Sequence, residues 1–570
     1  MKSNKAYFLF FSLLLTMACS CSKSMKPVPN NEQLILCNQV GFESSAQKKA
    51  ILRSSAEFFN LKNSNGEVVL EGKTGIKQYS PLSGDTVQLI DFSEVNKEGD
   101  YYLVVNDSII SNKIIITKRP YAELAKASLK SFYLNRSGMK IDSLYAGKWA
   151  RPAGHPDTLV YFHASAADQN HPENSIISSP KGWYDAGDYN KYIVNSSIST
   201  YTLLLAYNSF PEYFAQLDMN IPESTNEIPD VLDEALYNLR WMLSMQDPVD
   251  GGVYHKLSTK NFEDFVMPQD AISKRYVVQK STAASLDFAA TMAYASRLFS
   301  SFESSLPGLA DSCLIQSEKA WNWALKNPAI LYEQAADIST GAYDDTDLSD
   351  EWYWASTELF LATNKETYLQ RITNSKLTIS TPSWLNIGSL GVLSLLSSDK
   401  NEEFSELQKQ FLNHIDELIE MEQNSPYRIA ISKYEWGSNS EFANQGMLKL
   451  LAYQITKDRK YLDSARESLD YLLGRNATAY CFVTGFGSLS PMNIHHRPSA
   501  ADSVEDPVPG FMVGGPNLIV LTDCGSNVIR SAYPAKSYVD EQCSYSTNEI
   551  AINWNAPLVY LTSGIDAYEE

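Results

Sequence analysis

Basic residues are scarce in this chain of 570 residues: 47 Lys and Arg stand against 67 Asp and Glu, a formal net charge of −20. Binding to a phosphate backbone needs a basic footprint, so nucleic acid is excluded as a partner, whereas a neutral ligand meets no such obstacle. Cysteine is equally sparse. The five beyond residue 30, Cys37, Cys313, Cys481, Cys524 and Cys543, stand singly and are odd in number, which announces no disulfide framework. No Cys-x-x-Cys accompanies the few histidines, so no zinc site is assigned. No acidic stretch alternates ligands over a twelve-residue loop closed by Glu, which removes the EF-hand. The chain also lacks an internal repeat, so it is no solenoid.

Apolar residues make up 44% of the chain, enough for a sizeable core, and aromatic residues 12%, with 33 Tyr and 10 Trp. Rings with apolar faces and polar rims suit carbohydrate recognition as well as cores. Residues 1–18 read as a secretory signal, with Lys2 and Lys5 ahead of an apolar run from Tyr7 to Leu15. That run is too short to span a membrane. Ala18 followed by Cys19 has the form of a bacterial lipoprotein signal, although Thr16 stands where Leu is usual and Cys21 is a second candidate. The expectation is an exported lipoprotein, in the outer membrane, held by a lipid on Cys19 and a polar tether over 19–32, with its folded part in water.

Over 33–118 short β-type runs, such as Val87-Gln88-Leu89-Ile90 and Tyr101-Tyr102-Leu103-Val104-Val105, alternate with turn signals, including Asn65-Gly66. This spacing predicts an immunoglobulin-like β-sandwich, without the Cys…Trp…Cys pattern of the antibody type. Beyond Arg119-Pro120 the hydrophobic period changes to about 3.6. Eleven helices are predicted, over 121–134, 194–208, 229–245, 281–300, 311–326, 350–363, 384–397, 402–422, 440–456, 459–473 and 547–563. Leu462, Ala465, Leu469 and Leu472 lie on one helical face, and Gly474 suits a left-handed stop. With so little strand signal over 119–570, the simplest architecture is an (α/α)6 barrel, so the fold class is mainly α behind a small all-β domain. Long polar loops, 143–180 and 476–546, are placed to carry function.

Three stretches carry chemistry. Gly182-Trp183-Tyr184-Asp185-Ala186-Gly187-Asp188-Tyr189-Asn190-Lys191-Tyr192 sets two carboxylates three residues apart in a turn walled by rings, an arrangement suited to activating water beside a sugar. His495-His496-Arg497 offers donors for ring hydroxyls, one of the two imidazoles being the ordinary kind that is buried and bonded. Glu549 is expected to open an apolar helix, capped by Ser546 or Thr547. Its aromatic neighbours Tyr545 and Trp554 make it a candidate for a desolvated carboxyl that keeps its proton near neutral pH and acts as a general acid.

In order along the chain, Asn38-Gln39-Val40-Gly41-Phe42, Trp149-Ala150-Arg151-Pro152-Ala153-Gly154-His155, Asp185-Ala186-Gly187-Asp188, Asp250-Gly251-Gly252-Val253-Tyr254-His255-Lys256, Ser281-Thr282-Ala283-Ala284, Trp436-Gly437-Ser438-Asn439, His495-His496-Arg497 and Asn548-Glu549 resemble the motifs of glycoside hydrolase family 9, in its branch with a leading immunoglobulin-like domain. The resemblance implies Asp188 as general base, Asp185 as its partner in holding water, and Glu549 as general acid. It implies sugar contacts from His495 and Arg497, with Trp436 and Tyr545 as subsite walls. It also implies inversion, which needs the two working carboxyls roughly 6.5–9.5 Å apart. Ser544, where many relatives have Asp, and Trp554, where many have Tyr, depart from the pattern and leave the acids intact. Structural calcium is open at Asp247, Asp250, Asp344, Asp345 and Asp347; no organic cofactor is expected. The reading is an endo-β-1,4-glucanase acting on cellulose-like, mixed-linkage or xyloglucan-type β-glucan. An exo-acting relative and a non-catalytic glycan-binding surface protein are the alternatives.

Overall fold

The computed structural model describes residues 33–525, 528 and 530–568. The expected signal, the tether and Cys19 lie outside the described residues. Ten strands come first: β1 (Ile35–Leu36), β2 (Phe42–Glu43), β3 (Lys49–Leu52), β4 (Phe58–Asn63), β5 (Val68–Lys73), β6 (Gln78–Ser80), β7 (Asp85–Asp91), β8 (Gly99–Val105), β9 (Ile109–Ile110) and β10 (Ile114–Thr117). They form two sheets, in the orders β1-β3-β7-β6 and β2-β10-β8-β4-β5, with β9 paired to β8. Inward residues such as Phe42, Phe59, Leu61, Ile90 and Leu103 fill the space between, as alternation requires. The β4–β5 hairpin turns at Asn65-Gly66, where Gly66 takes φ +83°.

Twelve helices of nine residues or more follow among the described residues: α1 (Ala122–Leu134), α2 (Ile193–Ser209), α3 (Asp230–Ser244), α4 (Thr282–Phe299), α5 (Leu309–Lys326), α6 (Ser349–Thr363), α7 (Glu366–Asn374), α8 (Gly388–Leu396), α9 (Ser405–Asn424), α10 (Ser438–Thr456), α11 (Arg459–Leu472) and α12 (Ile552–Ala567). The even-numbered helices touch in a closed cycle, α2-α4-α6-α8-α10-α12 and back to α2. Each odd-numbered helix lies against a member of that cycle. Sequence explains the division. The cycle helices are buried around most of their surface, all nine residues of α8 among them, whereas α11 buries the stripe that includes Leu462, Ala465, Leu469 and Leu472. None of the described helices is long and apolar enough to cross a membrane.

Four expectations need correction. The sequence showed no sign of α7, and the last helix begins at Ile552 rather than 547. The helical region also holds a five-stranded sheet made of β11 (Val160–Phe162), β12 (Ile176–Ile177), β13 (Lys191–Tyr192), β14 (Lys256–Ser258) and β15 (Tyr276–Val277), in the order β12-β11-β15-β14-β13. Cys524 and Cys543 are joined by a disulfide, which an odd set of single cysteines did not foretell.

The sandwich is fastened to α11 by buried charge. Lys49 Nζ lies 2.7 Å from Glu467, Arg466 pairs with Glu43, and Asn38 donates to Asp470 at 2.8 Å. Gly474 has φ +128°, and a side chain there would run into Gln39 and the carbonyl of Cys37. Glycine is thus needed twice at this position, for the helix stop and for the close approach of the sandwich. Farther along, the sandwich turn before β7 meets the segment 533–536: Tyr533 covers Gly84, and Lys536 Nζ lies 2.5 Å from Asp85.

Candidate active site

The turn carrying the first two acids is closed locally. Asp185 N–H donates to the carbonyl of Asn190 at 3.0 Å, and the chain then enters β13 and α2. Both acids are buried, and each is held by hydroxyl and amide donors. Asp185 accepts from Asn195 Nδ2 at 2.5 Å and from the Tyr343 hydroxyl at 2.7 Å, one on each oxygen. Asp188 Oδ2 accepts from Asn190 Nδ2 at 2.5 Å and from the Tyr192 hydroxyl at 3.2 Å. Asp188 Oδ1 accepts nothing from the described residues.

Glu549 reaches the same place from the other end of the chain. It does not open a helix. It follows a single turn, Tyr545–Asn548, in extended backbone, bridges His495 in parallel fashion and precedes Ile550, which bridges Val513. The backbone N–H of Gly187 donates to Glu549 Oε1 at 3.2 Å, while Oε2 has no partner among the described residues. The two chain ends are further tied by Ile552 N–H to the Asp185 carbonyl, 2.9 Å, and by Arg497 N–H to the Gly187 carbonyl, 3.1 Å. Ser546 and Thr547 cap no helix here; Ser546 instead donates to Asp523, an acid the sequence gave no reason to single out.

Three buried carboxyls this close cannot all ionise together. Burial, then Asp188, pushes Asp185 up to about 8. Burial, then Asp188, pushes Glu549 well above the ordinary Glu value. Burial also raises Asp188, but the Arg497 charge and the Asn190 and Tyr192 hydrogen bonds work against the rise. Of the facing pair, Asp188 is therefore the better anion and Glu549 the better proton donor.

The flanking residues divide into walls and struts. Trp436 and Tyr545 are 40% and 36% exposed, with ring centroids 5.7 Å apart, beside His495. His495 Nδ1 donates to the Gln542 carbonyl at 2.7 Å, which leaves Nε2 unprotonated; burial holds the imidazole down at about 4. His496 is the ordinary buried one, bonded to Ser499. Arg497 is less free than its sequence position suggests, since Nε and Nη1 donate to the carbonyls of Glu263 and Gly187. Trp554 is no exposed wall either; it packs on Gly437 and Gly514. Sequence reasoning missed Asn195 and Tyr343, which hold Asp185 from the first turn of α2 and from the loop ahead of α6 and belong to no local pattern.

A second acidic cluster lies behind Tyr343. Asp345, Asp350 and Glu351 each offer an oxygen within 4.8 Å of the others, and Asp287 of α4 adds its charge to theirs. Both oxygens of buried Asp287, Oδ2 of Asp345 and Oε2 of Glu351 have no hydrogen-bond partner among the described residues. Orphaned buried oxygens without nitrogen or sulfur are the donor set of a hard cation. Of the positions first considered, only Asp345 belongs here. Asp344 and Asp347 are exposed, and Asp247 and Asp250 already face Lys280 at 2.5 and 2.8 Å.

Known proteins resemble both parts of the chain. The model of "Glycosyl hydrolase family 9" matches residues 121–562, and that of the "Cellulase N-terminal ig-like domain" matches residues 30–108. A xyloglucan-specific endo-β-1,4-glucanase of Bacteroides ovatus is 43% identical over 98% of both chains. A solved structure described as Bacteroides ovatus GH9 superposes with TM-score 0.89 at 43% identity, covering 94% of this chain and all of the other. Another, AaCel9A in complex with a cellobiose-like isofagomine, superposes with TM-score 0.85 at 30% identity, covering 93% of this chain and 99% of the other.

Proposed function

The chain belongs to glycosyl hydrolase family 9 and is an inverting glycoside hydrolase of the endo-β-1,4-glucanase type; on that premise we propose the roles of its acids and the glucan it prefers. Asp188 is the general base, taking a proton from water through Oδ1. Asp185, locked between Asn195 and Tyr343, holds that water with it. Glu549 is the general acid, giving the proton on Oε2 to the departing glycosidic oxygen while water attacks the opposite face of the sugar. The carrying observation is that two acids from distant parts of the chain meet across Gly187, each with one oxygen left free. A binding protein has no use for a proton donor facing a water base, which speaks against a non-catalytic glycan binder.

The preferred substrate is xyloglucan, a reading supported by the specificity named for the Bacteroides ovatus relative. Trp436 and Tyr545 wall the sugar sites, and His495 Nε2 accepts from a ring hydroxyl. The closed cycle of six helices, each with an outer neighbour, supports an (α/α)6 barrel. Asp287, Asp345, Asp350 and Glu351 would hold calcium, whose charge would offset their repulsion beside the Tyr343 loop; the reaction needs no organic cofactor. Export and lipidation at Cys19 rest on the leader sequence alone, and loss of radiolabelled palmitate from a Cys19→Ser variant tests them.

Glu549→Gln and Asp188→Asn should each lower kcat by several orders of magnitude while glucan affinity stays within a few-fold. Near-normal turnover in either variant removes that assignment. Comparing kcat/KM on xyloglucan, mixed-linkage glucan and carboxymethylcellulose tests the preference, and a rapid fall in viscosity reports internal cuts.

A further inference from the structure

Two stretches singled out in the sequence, Asp250-Gly251-Gly252-Val253-Tyr254-His255-Lys256 and Ser281-Thr282-Ala283-Ala284, have no part in the roles above. They meet beside the catalytic turn. β14 begins at Lys256 and pairs with β13, placing Lys256 opposite Tyr192, and Ile193 N–H donates to the His255 carbonyl at 3.0 Å. His255 and Lys256 therefore stand one strand away from the turn that carries Asp185 and Asp188. Both are buried. His255 has one tautomer open to it. Its Nε2 lies 2.8 Å from the carbonyl of Ala342, which can only accept, so Nε2 carries the proton. Nδ1 then accepts from the Ser281 hydroxyl at 2.9 Å, while Ser281 also caps α4 through the Ala284 N–H. Burial keeps the imidazole neutral by holding it down at about 3, and the Tyr332 ring stacks on it at 4.0 Å.

Lys256 directs its donors to one loop: to the Gly341 carbonyl at 2.6 Å, and to Thr340 Oγ1 and Gln334 Oε1, both at 3.1 Å. All three partners are neutral, and an ammonium buried among neutral groups is costly. Burial accordingly pulls it down to about 7, against the attraction of Asp188 and Asp344. A neutral donor would tie the loop down at less cost, but only an ammonium aims three donors from one atom. The residue after the gripped carbonyls is Tyr343. Its φ is +52°, a conformation that a tyrosine rarely adopts and that persists only where the surroundings impose it. Lys256 and His255 hold the carbonyls of the two residues immediately before it, and its own hydroxyl donates to Asp185 at 2.7 Å. Released from that grip, the backbone at 343 would be free to relax to negative φ and draw the hydroxyl away from Asp185.

We propose that His255 and Lys256 are positioning residues for the hydrolysis: by holding the carbonyls of Ala342 and Gly341 they keep the Tyr343 hydroxyl on Asp185, and so aim the acid that holds the attacking water. This rests on the assignment of Asp185 and Asp188 as the pair that holds and activates water. The competing role for the two residues is purely structural, as a fastening of the loop to the five-stranded sheet.

The test uses full-length enzyme with Tyr343→Phe, His255→Leu, His255→Gln and Lys256→Met, and with His255→Leu and Lys256→Met each combined with Tyr343→Phe. It measures kcat and KM on soluble β-glucan at each variant's own pH optimum, together with the melting temperature. If both residues act through the Tyr343 hydroxyl, Tyr343→Phe, His255→Leu and Lys256→Met each lower kcat at least about tenfold, with KM held within about twofold. His255→Gln, which keeps an N–H donor for the Ala342 carbonyl, recovers most of the loss. In the Tyr343→Phe background the same substitutions cost little more, because the hydroxyl they aim is already gone. A purely structural role predicts instead melting temperatures that fall in parallel with kcat, no rescue by Gln, and defects that multiply with that of Tyr343→Phe. Those results, wild-type kcat in any of the three single variants, or loss of cooperative unfolding in every variant at 255 and 256, overturn the proposal. Asp185→Asn and Asp188→Asn variants that both turn over like wild type would instead defeat the assignment on which it rests.

Discussion

The backbone N–H of Gly187 donates to Oε1 of Glu549 across 3.2 Å, joining residues 362 positions apart. Gly187 also lies tight against the segments that carry His495 and Glu549. A Cβ added at residue 187 would overlap the carbonyl oxygen of His495 and come within 3.0 Å of Glu549 Oε1. Gly187→Ala must therefore push the two catalytic segments apart. A displacement of about 1 Å is enough to cost on the order of a hundredfold in rate. The expected outcome is a kcat at least about a hundredfold lower, in a protein that still shows cooperative unfolding by circular dichroism.

The pH–rate profile should carry the marks of this crowding. On the proposed roles, activity needs Asp188 ionised and Glu549 protonated, which gives a bell-shaped kcat/KM. Burial moves the acid limb, set by Asp188, above the usual Asp value, and moves the basic limb, set by Glu549, well above the usual Glu value. Arg497 lowers both groups, so Arg497→Gln should shift both limbs to higher pH as well as reducing the maximum. A profile that loses height without moving would contradict the electrostatic role of Arg497.

The junction between the domains should be acid-labile. Burial works to raise Glu467, but Arg475, Lys49 and Arg428 overcome it and hold the carboxyl down at about 2. A carboxylate depressed in the folded state contributes its full stabilisation above its unfolded value of about 4.3, and that contribution disappears as the pH falls towards 2. Neighbouring Asp470, raised to about 7 chiefly by burial, acts in the opposite sense, so the informative quantity is a difference between variants. Glu467→Gln should cost roughly 3–5 kcal/mol at pH 7, as expected when a buried pair loses one partner. It should also lose less additional stability than wild type between pH 4.5 and 2, measured by urea unfolding at each pH.

The acidic cluster predicts a response to chelation. Without a cation, Asp287, Asp345, Asp350 and Glu351 repel one another beside the loop that carries Tyr343, whose hydroxyl holds Asp185. Chelator should lower the melting temperature and kcat together, and added calcium should restore both. Asp287→Asn should weaken the calcium-dependent rise in melting temperature, as followed by differential scanning fluorimetry.

The sequence was informative where a single segment carried its own pattern. The amphipathic stripe of α11 and its stop at Gly474 could be read directly, as could the paired acids in the turn at 185–188. It was uninformative where partners come from separate segments. The five-stranded sheet consists of two- and three-residue strands scattered from Val160 to Val277, too short to alternate visibly. Nine-residue α7 offers only two buried positions, Tyr368 and Ile372, and so no repeating stripe. Glu549 looked like a first-turn residue because apolar residues follow it, yet strand pairing with His495 outweighed local helix preference. The acidic cluster draws on α4, the Asp345 loop and the start of α6, of which only the Asp345 loop was visibly acidic.

The Tyr533 ring over Gly84 has a consequence for anyone dividing or shuffling this enzyme. The segment it belongs to runs on, through the Cys524–Cys543 disulfide, into Tyr545 and Glu549, so the front module rests on the same length of chain that carries Glu549. A chimera that keeps the helical part but takes its leading module from a relative would have to retain a residue without a side chain at position 84. Otherwise the graft would displace Glu549 without altering any residue beside it.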